Sequence, residues 1–188
     1  MRRIKRIFEK GGVRRFFINT LFDSTFMLLG IVVGSAFVTE ARLESIMATL
    51  VTTSLALGIS TGVSVYEAES LEQERKLDRI EKAMIQDLRG TVVHDSAKSI
   101  MLVASLINFS TPLVSCAIVI LPFVFAAVDV LSVESAARIS IAVTLSELFI
   151  VGAYMGRIGK KNPWVKGLRM LGFGLIAFVI GLFLDSLL

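Results

Sequence analysis

The strongest constraint on this chain is the recurrence of long stretches almost free of charge. Five are read from the sequence: Phe16–Val38, Glu44–Tyr66, Lys98–Val128, Ala136–Met155 and Val165–Leu188. An α-helix rises about 1.5 Å per residue, so about 20 apolar residues cross a hydrocarbon layer roughly 30 Å thick. Each stretch is long enough to do so, and together they leave no room for a soluble domain of ordinary size. Composition agrees: 54% of residues are apolar, 19% are charged and the mean hydropathy is +0.75. Soluble domains run at about 45–50% apolar and about 25% charged. The expected fold class is an all-α integral membrane protein with five transmembrane helices.

The side on which each loop lies follows from lysine and arginine, because acidic residues contribute little to the positive-inside rule. Of the 20 basic residues, seven precede the first span, six lie from Arg75 to Lys98 and five lie from Arg157 to Arg169. Only Arg42 and Arg138 fall on the other side. This places the N-terminus in the cytosol and, with five spans, the C-terminus outside. The excess of positive charge lies next to spans, where anionic headgroups attract it, so no nucleic-acid partner is expected. The first stretch is too long for a signal-peptide core and has no small-residue cleavage site after it.

Four segments follow from this reading. Residues 1–15 form a basic amphipathic helix on the cytosolic surface, with Ile4, Ile7 and Phe8 on its apolar side and Gly11-Gly12 as its break. Residues 16–66 hold the first two spans. Residues 67–97 form a charged cytosolic segment, read as a helical continuation of span two because Leu77, Ile80, Met84 and Leu88 recur at helical spacing. Residues 98–188 hold the remaining three spans, the first of them carrying Asn108, Pro112 and Pro122 and expected to kink.

Two residues stand out against the apolar background. Asp23 lies within span one and Glu147 within span four. A carboxylate at such depth costs about 2.5–3.5 kcal/mol on insertion scales and marks an ion or proton route. Met27, one helical turn after Asp23, adds a sulfur that softer metals favour. Glu147 is a candidate proton carrier, with a hydrogen-bonded structural carboxyl as the alternative. On the cytosolic segment Glu67, Glu74, Asp78 and Glu81 recur at offsets that share one stripe. Rows of carboxylates suit divalent cations, although Glu72–Lys76 and Asp78–Lys82 are also ordinary i,i+4 ion pairs. Spacings of Gly-x-x-x-Gly at Gly30/Gly34, Gly58/Gly62 and Gly152/Gly156 allow close helix approach. His94 and Cys116 are each the sole residue of their kind and build neither a zinc site nor a disulfide. No paired histidines, no nucleophile with its base and no Walker loop are present, so the chain is not read as an enzyme.

With the spans placed, the chain resembles the vacuolar iron transporter family, also called the calcium-cross-complementing type. Asp23-Ser24 leads to Gly34 eleven residues on, as an Asp-Gly start leads to a glycine in that family. Ser60-Thr61 and Ser64-Val65-Tyr66 stand in register with its span-two pattern, with Glu67 one place late. Leu121-Pro122 matches its Leu-Pro, and LFIVGAYMGRIG with GLRMLGFGLIAFVIG matches its last two spans. The resemblance implies a five-span homodimer that moves ferrous iron, and sometimes manganese, out of the cytosol in exchange for protons. It puts Asp23 on the ion path and Thr61 where the family carries a methionine ligand. It also makes the Glu67, Glu74, Asp78, Glu81 stripe a reduced counterpart of the family's cytosolic metal-binding module. The metal is a transported substrate rather than a resident cofactor. The membrane is the plasma membrane in a prokaryote and a vacuolar-type membrane in a eukaryote. A scaffold whose charged helix docks a partner is the alternative reading.

Overall fold

The computed structural model describes residues 11–36, 42–84 and 92–185. Every regular element among them is an α-helix: α1 (Gly11–Ala36), α2 (Leu43–Met84), α3 (Val92–Ala127), α4 (Val133–Ile158) and α5 (Pro163–Asp185). All five are long and apolar enough to cross a membrane. The surface helix expected over residues 1–15 falls mostly outside the described residues, and α1 starts at Gly11.

Helices α2 and α3 outrun the bilayer. With 42 residues, α2 is about 63 Å long at 1.5 Å per residue, twice the hydrocarbon thickness. Its second half, from Glu67 to Met84, carries ten charged side chains in eighteen residues and belongs to water. The expected cytosolic continuation of span two is thus one unbroken helix as far as Met84. Helix α3 starts at Val92, six residues before the expected Lys98, so the backbone of His94 is helical rather than looped. Both prolines of α3 sit inside a continuous helix.

Helix ends follow from local chemistry. Ser132 caps α4, its hydroxyl accepting from Ser135 N at 3.2 Å. Asn162 caps α5 by accepting from Trp164 N at 3.0 Å, with Pro163 at the first helical position, where its missing N–H is harmless. Helices α3 and α4 close with the same motif. At the first, Asp129 N reaches Ala126 O and Val130 N reaches Phe125 O, both at 3.1 Å, around a left-handed Asp129 with φ 57°. At the second, Lys160 N reaches Arg157 O at 3.3 Å and Lys161 N reaches Gly156 O at 2.9 Å, around Lys160 with φ 53°. These are Schellman closures, with an L-residue where glycine is usual.

The chain divides into two compact units, Met1–Thr20 with Ala56–Thr111, and Leu21–Leu55 with Pro112–Leu188. In the first, Val13, Val65, Ile100 and Ala104 form the apolar core, flanked by Phe16, Val103 and Ile107. In the second, Leu28, Leu29, Val32 and Val33 of α1 meet Ile46 and Leu50 of α2 together with Val119 and Phe123 of α3 and Ala136 and Ile141 of α4. Helix α5 lies along α4. Glycines permit that contact: a Cβ at Gly152 would stand 2.9 Å from Lys166 O, and one at Gly167 would stand 2.8 Å from the Phe149 ring.

Exposure does not follow polarity as it does in a water-soluble protein. Large apolar side chains such as Leu106, Ile150, Val179 and Phe183 are exposed, while Thr25, Asn108, Ser115, Ser140 and Thr144 are buried. Lipid tails solvate apolar side chains as well as a core does, so small and hydrogen-bonded residues share the helix contacts with the apolar core.

Candidate functional site

Helix α1 buries one face and leaves the other bare. Asp23, Met27, Gly30 and Gly34 are all exposed. Their spacings of four, three and four put them on a single stripe. A Cβ built at Gly30 or Gly34 would meet nothing within 4 Å. The other two Gly-x-x-x-Gly pairs are spent inside the chain: at Gly58 a Cβ would lie 2.7 Å from Phe109 O, and at Gly156 it would lie 2.8 Å from Pro163. Asp23 is near the midpoint of the apolar window Val13–Ser35. It makes no hydrogen bond or ion pair among the described residues.

Glu147 is set differently. It projects from α4 into the second unit, where the Ser115 hydroxyl of α3 donates to its Oε1. Its Oε2 is buried with no hydrogen-bond partner among the described residues. The other hydroxyls between these helices are committed: Ser140 donates to Val119 O and Thr144 to Ser140 O, each at 2.7 Å. Thus only one oxygen of Glu147 is held, by the Ser115 hydroxyl, among the described residues. Ser115 is a partner that sequence reading missed, because one buried serine in a span is indistinguishable from helix-packing filler.

In the first unit Asn108 is fully buried and satisfied. Thr20 donates to its Oδ1 and its Nδ2 donates to Ala104 O, both at 2.8 Å. Pro112 has no N–H to offer the carbonyl four residues earlier, which is that of Asn108. The Thr61 hydroxyl lies 3.2 Å from that oxygen, dividing its single hydrogen with Leu57 O and Gly58 O. The Thr61 hydroxyl thus ties α2 to α3 at the Pro112 gap.

The carboxylate stripe on the water-facing half of α2 is spread out. Glu67, Glu74 and Asp78 are exposed and Glu81 is half-buried. Seven residues along a helix span about 10 Å, so Glu67 and Glu74 cannot share one ion's coordination shell. Among the described residues no three His, Cys, Asp or Glu side chains are grouped to hold a metal ion. Asp78 pairs with Lys82 at 2.7 Å and Ser70 donates to Glu74 at 3.3 Å. Lys76, hydrogen-bonded and ion-paired to Glu72 at 3.0 Å, holds that carboxyl below its ordinary value. The buried acid of this region is Glu69, which accepts from Gln73 Nε2 at 3.1 Å. The two continue the buried register of Gly58, Gly62 and Val65, a spacing visible in the sequence.

Five helices with exposed apolar side chains, buried hydroxyls and two carboxyls, Asp23 and Glu147, well inside their apolar windows define a multi-pass membrane protein. Comparison with known families narrows the class. The profile of the VIT family matches residues 60–184. The chain belongs to that family, one of membrane metal-ion transporters. It is also 25% identical over 169 residues to an uncharacterized protein of the archaeon Methanocaldococcus jannaschii, covering 88% of this chain and 85% of that one. The family match begins at Ser60, so Asp23 and Met27 precede it.

Proposed function

We propose that the protein exports a divalent cation, ferrous iron or manganous ion, from the cytosol in exchange for protons, and that it works as a homodimer joined through α1. The observation that carries this reading is the bare stripe of Asp23, Met27, Gly30 and Gly34. Left to lipid, an ionised Asp23 costs about 2.5–3.5 kcal/mol. A second copy packed on Gly30 and Gly34 removes that exposure and brings a second Asp23 and a second Met27 to the same level. Two carboxylates closing on each other repel unless a cation lies between them. Paired oxygen and sulfur donors favour a borderline divalent ion over magnesium or calcium.

The remaining parts take roles around this centre. Glu67, Glu74 and Asp78 raise the local cation concentration at the cytosolic approach. Glu147, held by Ser115 on one oxygen, carries the proton in the opposite direction.

The test is uptake of ferrous or manganous ion into proteoliposomes carrying an acid-interior pH gradient. Asp23→Asn preserves size and removes the charge. Uptake should fall by about tenfold or more, equivalent to about 1.4 kcal/mol at the barrier. A mutant that transports as fast as the parent would place the ion path elsewhere.

A further inference from the structure

The turn between α4 and α5 leaves an open groove that the transport reading does not use. Its walls are Phe149, Ala153, Tyr154, Arg157, Pro163 and Trp164, and its volume is about 490 Å³. That lies within the range of ligand pockets, roughly 300–1,000 Å³. The groove is built rather than incidental. Gly156 lets Pro163 approach and Gly167 lets α5 lie against the Phe149 ring, whose centroid stands 5.8 Å from that of Trp164. Trp164 is 69% exposed and Tyr154 48%.

Charge decides what suits it. From Leu148 to Leu184 the chain has no acidic residue and five basic ones: Arg157, Lys160, Lys161, Lys166 and Arg169. None of the five makes an ion pair among the described residues. Arg169 lies over the Phe173 ring at 5.9 Å, which leaves its charge unneutralised. The groove sits where the apolar windows Val133–Ile158 and Pro163–Phe183 end. That is the depth of lipid headgroups, and Trp and Tyr with an apolar body and a polar tip favour it.

We infer that this groove is a binding site for one anionic phospholipid, its phosphate on Arg157 with Lys160 and Lys161 beside it, and an acyl chain along Phe149, Ala153 and Trp164. A zwitterionic lipid fits the apolar wall equally but brings a cationic group towards unneutralised bases. A free phosphate satisfies the bases but leaves the aromatic wall without a partner. An anionic lipid satisfies both.

Trp164 is the only tryptophan, so its fluorescence reports on this groove alone. The full chain is reconstituted with phosphatidylglycerol or phosphatidylcholine brominated near the top of the acyl chains, at matched mole fractions in an unlabelled phosphatidylcholine background. The anionic lipid should quench Trp164 more steeply, by about fivefold in apparent affinity for one basic contact. Arg157→Gln should bring the two curves together, and Arg157→Lys, which keeps the charge, should keep them apart. Arg138→Gln makes the same change of charge at the far end of α4, beside Glu134, and should alter nothing. Equal quenching of the parent by both lipids would overturn the proposal, as would a preference that survives Arg157→Gln. Loss of the preference on adding millimolar inorganic phosphate, at an ionic strength matched with chloride, would assign the site to the free anion and overturn it too.

Discussion

Replacing Gly58 and Gly30, one at a time, by alanine separates packing inside the chain from packing outside it. Both are mid-helix glycines in spans, and in an unobstructed helix alanine is favoured over glycine by about 1 kcal/mol. At Gly30 nothing stands within 4 Å of the new Cβ, so the variant keeps that gain within the monomer. At Gly58 the Cβ would meet Phe109 O at 2.7 Å, with the Phe109 ring at 3.6 Å. A backbone oxygen cannot rotate away, so α2 and α3 must part, and overpacking of this kind costs about 1–3 kcal/mol. Gly58→Ala should therefore lie between neutral and about 2 kcal/mol destabilised, a gap of about 1–3 kcal/mol from monomeric Gly30→Ala. For a chain of this length 1 kcal/mol moves a melting midpoint by about 2–4 °C. The midpoints of the detergent-solubilised variants, measured at a concentration where both are monomeric, should differ by at least about 2 °C, with Gly58→Ala lower. Equal midpoints would mean that the Gly58–Phe109 contact does not limit how closely the helices approach. The same Gly30→Ala protein, concentrated in a bilayer, should dimerise more weakly than the parent, since its stripe is flat only while it lacks side chains.

Two further outcomes follow from single side chains. Glu147→Gln keeps an acceptor for Ser115 but cannot exchange a proton at that site. It should bind metal as the parent does while uptake stops responding to an imposed pH gradient, and unchanged coupling in flux assays would remove Glu147 from the proton route. Lys160→Gly relieves a left-handed lysine, which costs about 1–2 kcal/mol relative to glycine. After the entropy that glycine returns to the unfolded chain, the melting midpoint should rise by about 2–4 °C, and a lower midpoint would show that the turn is not strained.

The spans were legible because their signal is length and hydropathy, which depend on no partner. The unbroken α2 was legible too, since Leu77, Ile80 and Met84 keep helical spacing without glycine or proline. Faces were harder to read. Asp23, Met27, Gly30 and Gly34 were each conspicuous, yet only the structure shows that they form one uncovered stripe, because all sides of a membrane helix are apolar and periodicity says little about which is covered. Glu69 was hidden among five neighbouring acids and differs from them only by register. Lys160 gave no warning, since the preceding Gly159 invites the left-handed position that the lysine takes.

Helix α2 has a mechanical consequence. It holds no glycine or proline from Val63 to Met84, so this stretch behaves as a stiff rod. Its closest seat on α3 is at Gly58 and Gly62, which rest on Phe109 and Ser105. Beyond them Val65 packs with Ile100 and Ala104 and Gln73 is still buried, so the unsupported arm runs about 16 Å, from Gln73 to Met84. A tilt of about 5° about Gln73 sweeps Met84 sideways by about 1.4 Å, by the same helix geometry. Conversely, a pull on the acidic arm in water is passed along the helix to a contact with no slack, the one where a single added methyl group already collides with backbone.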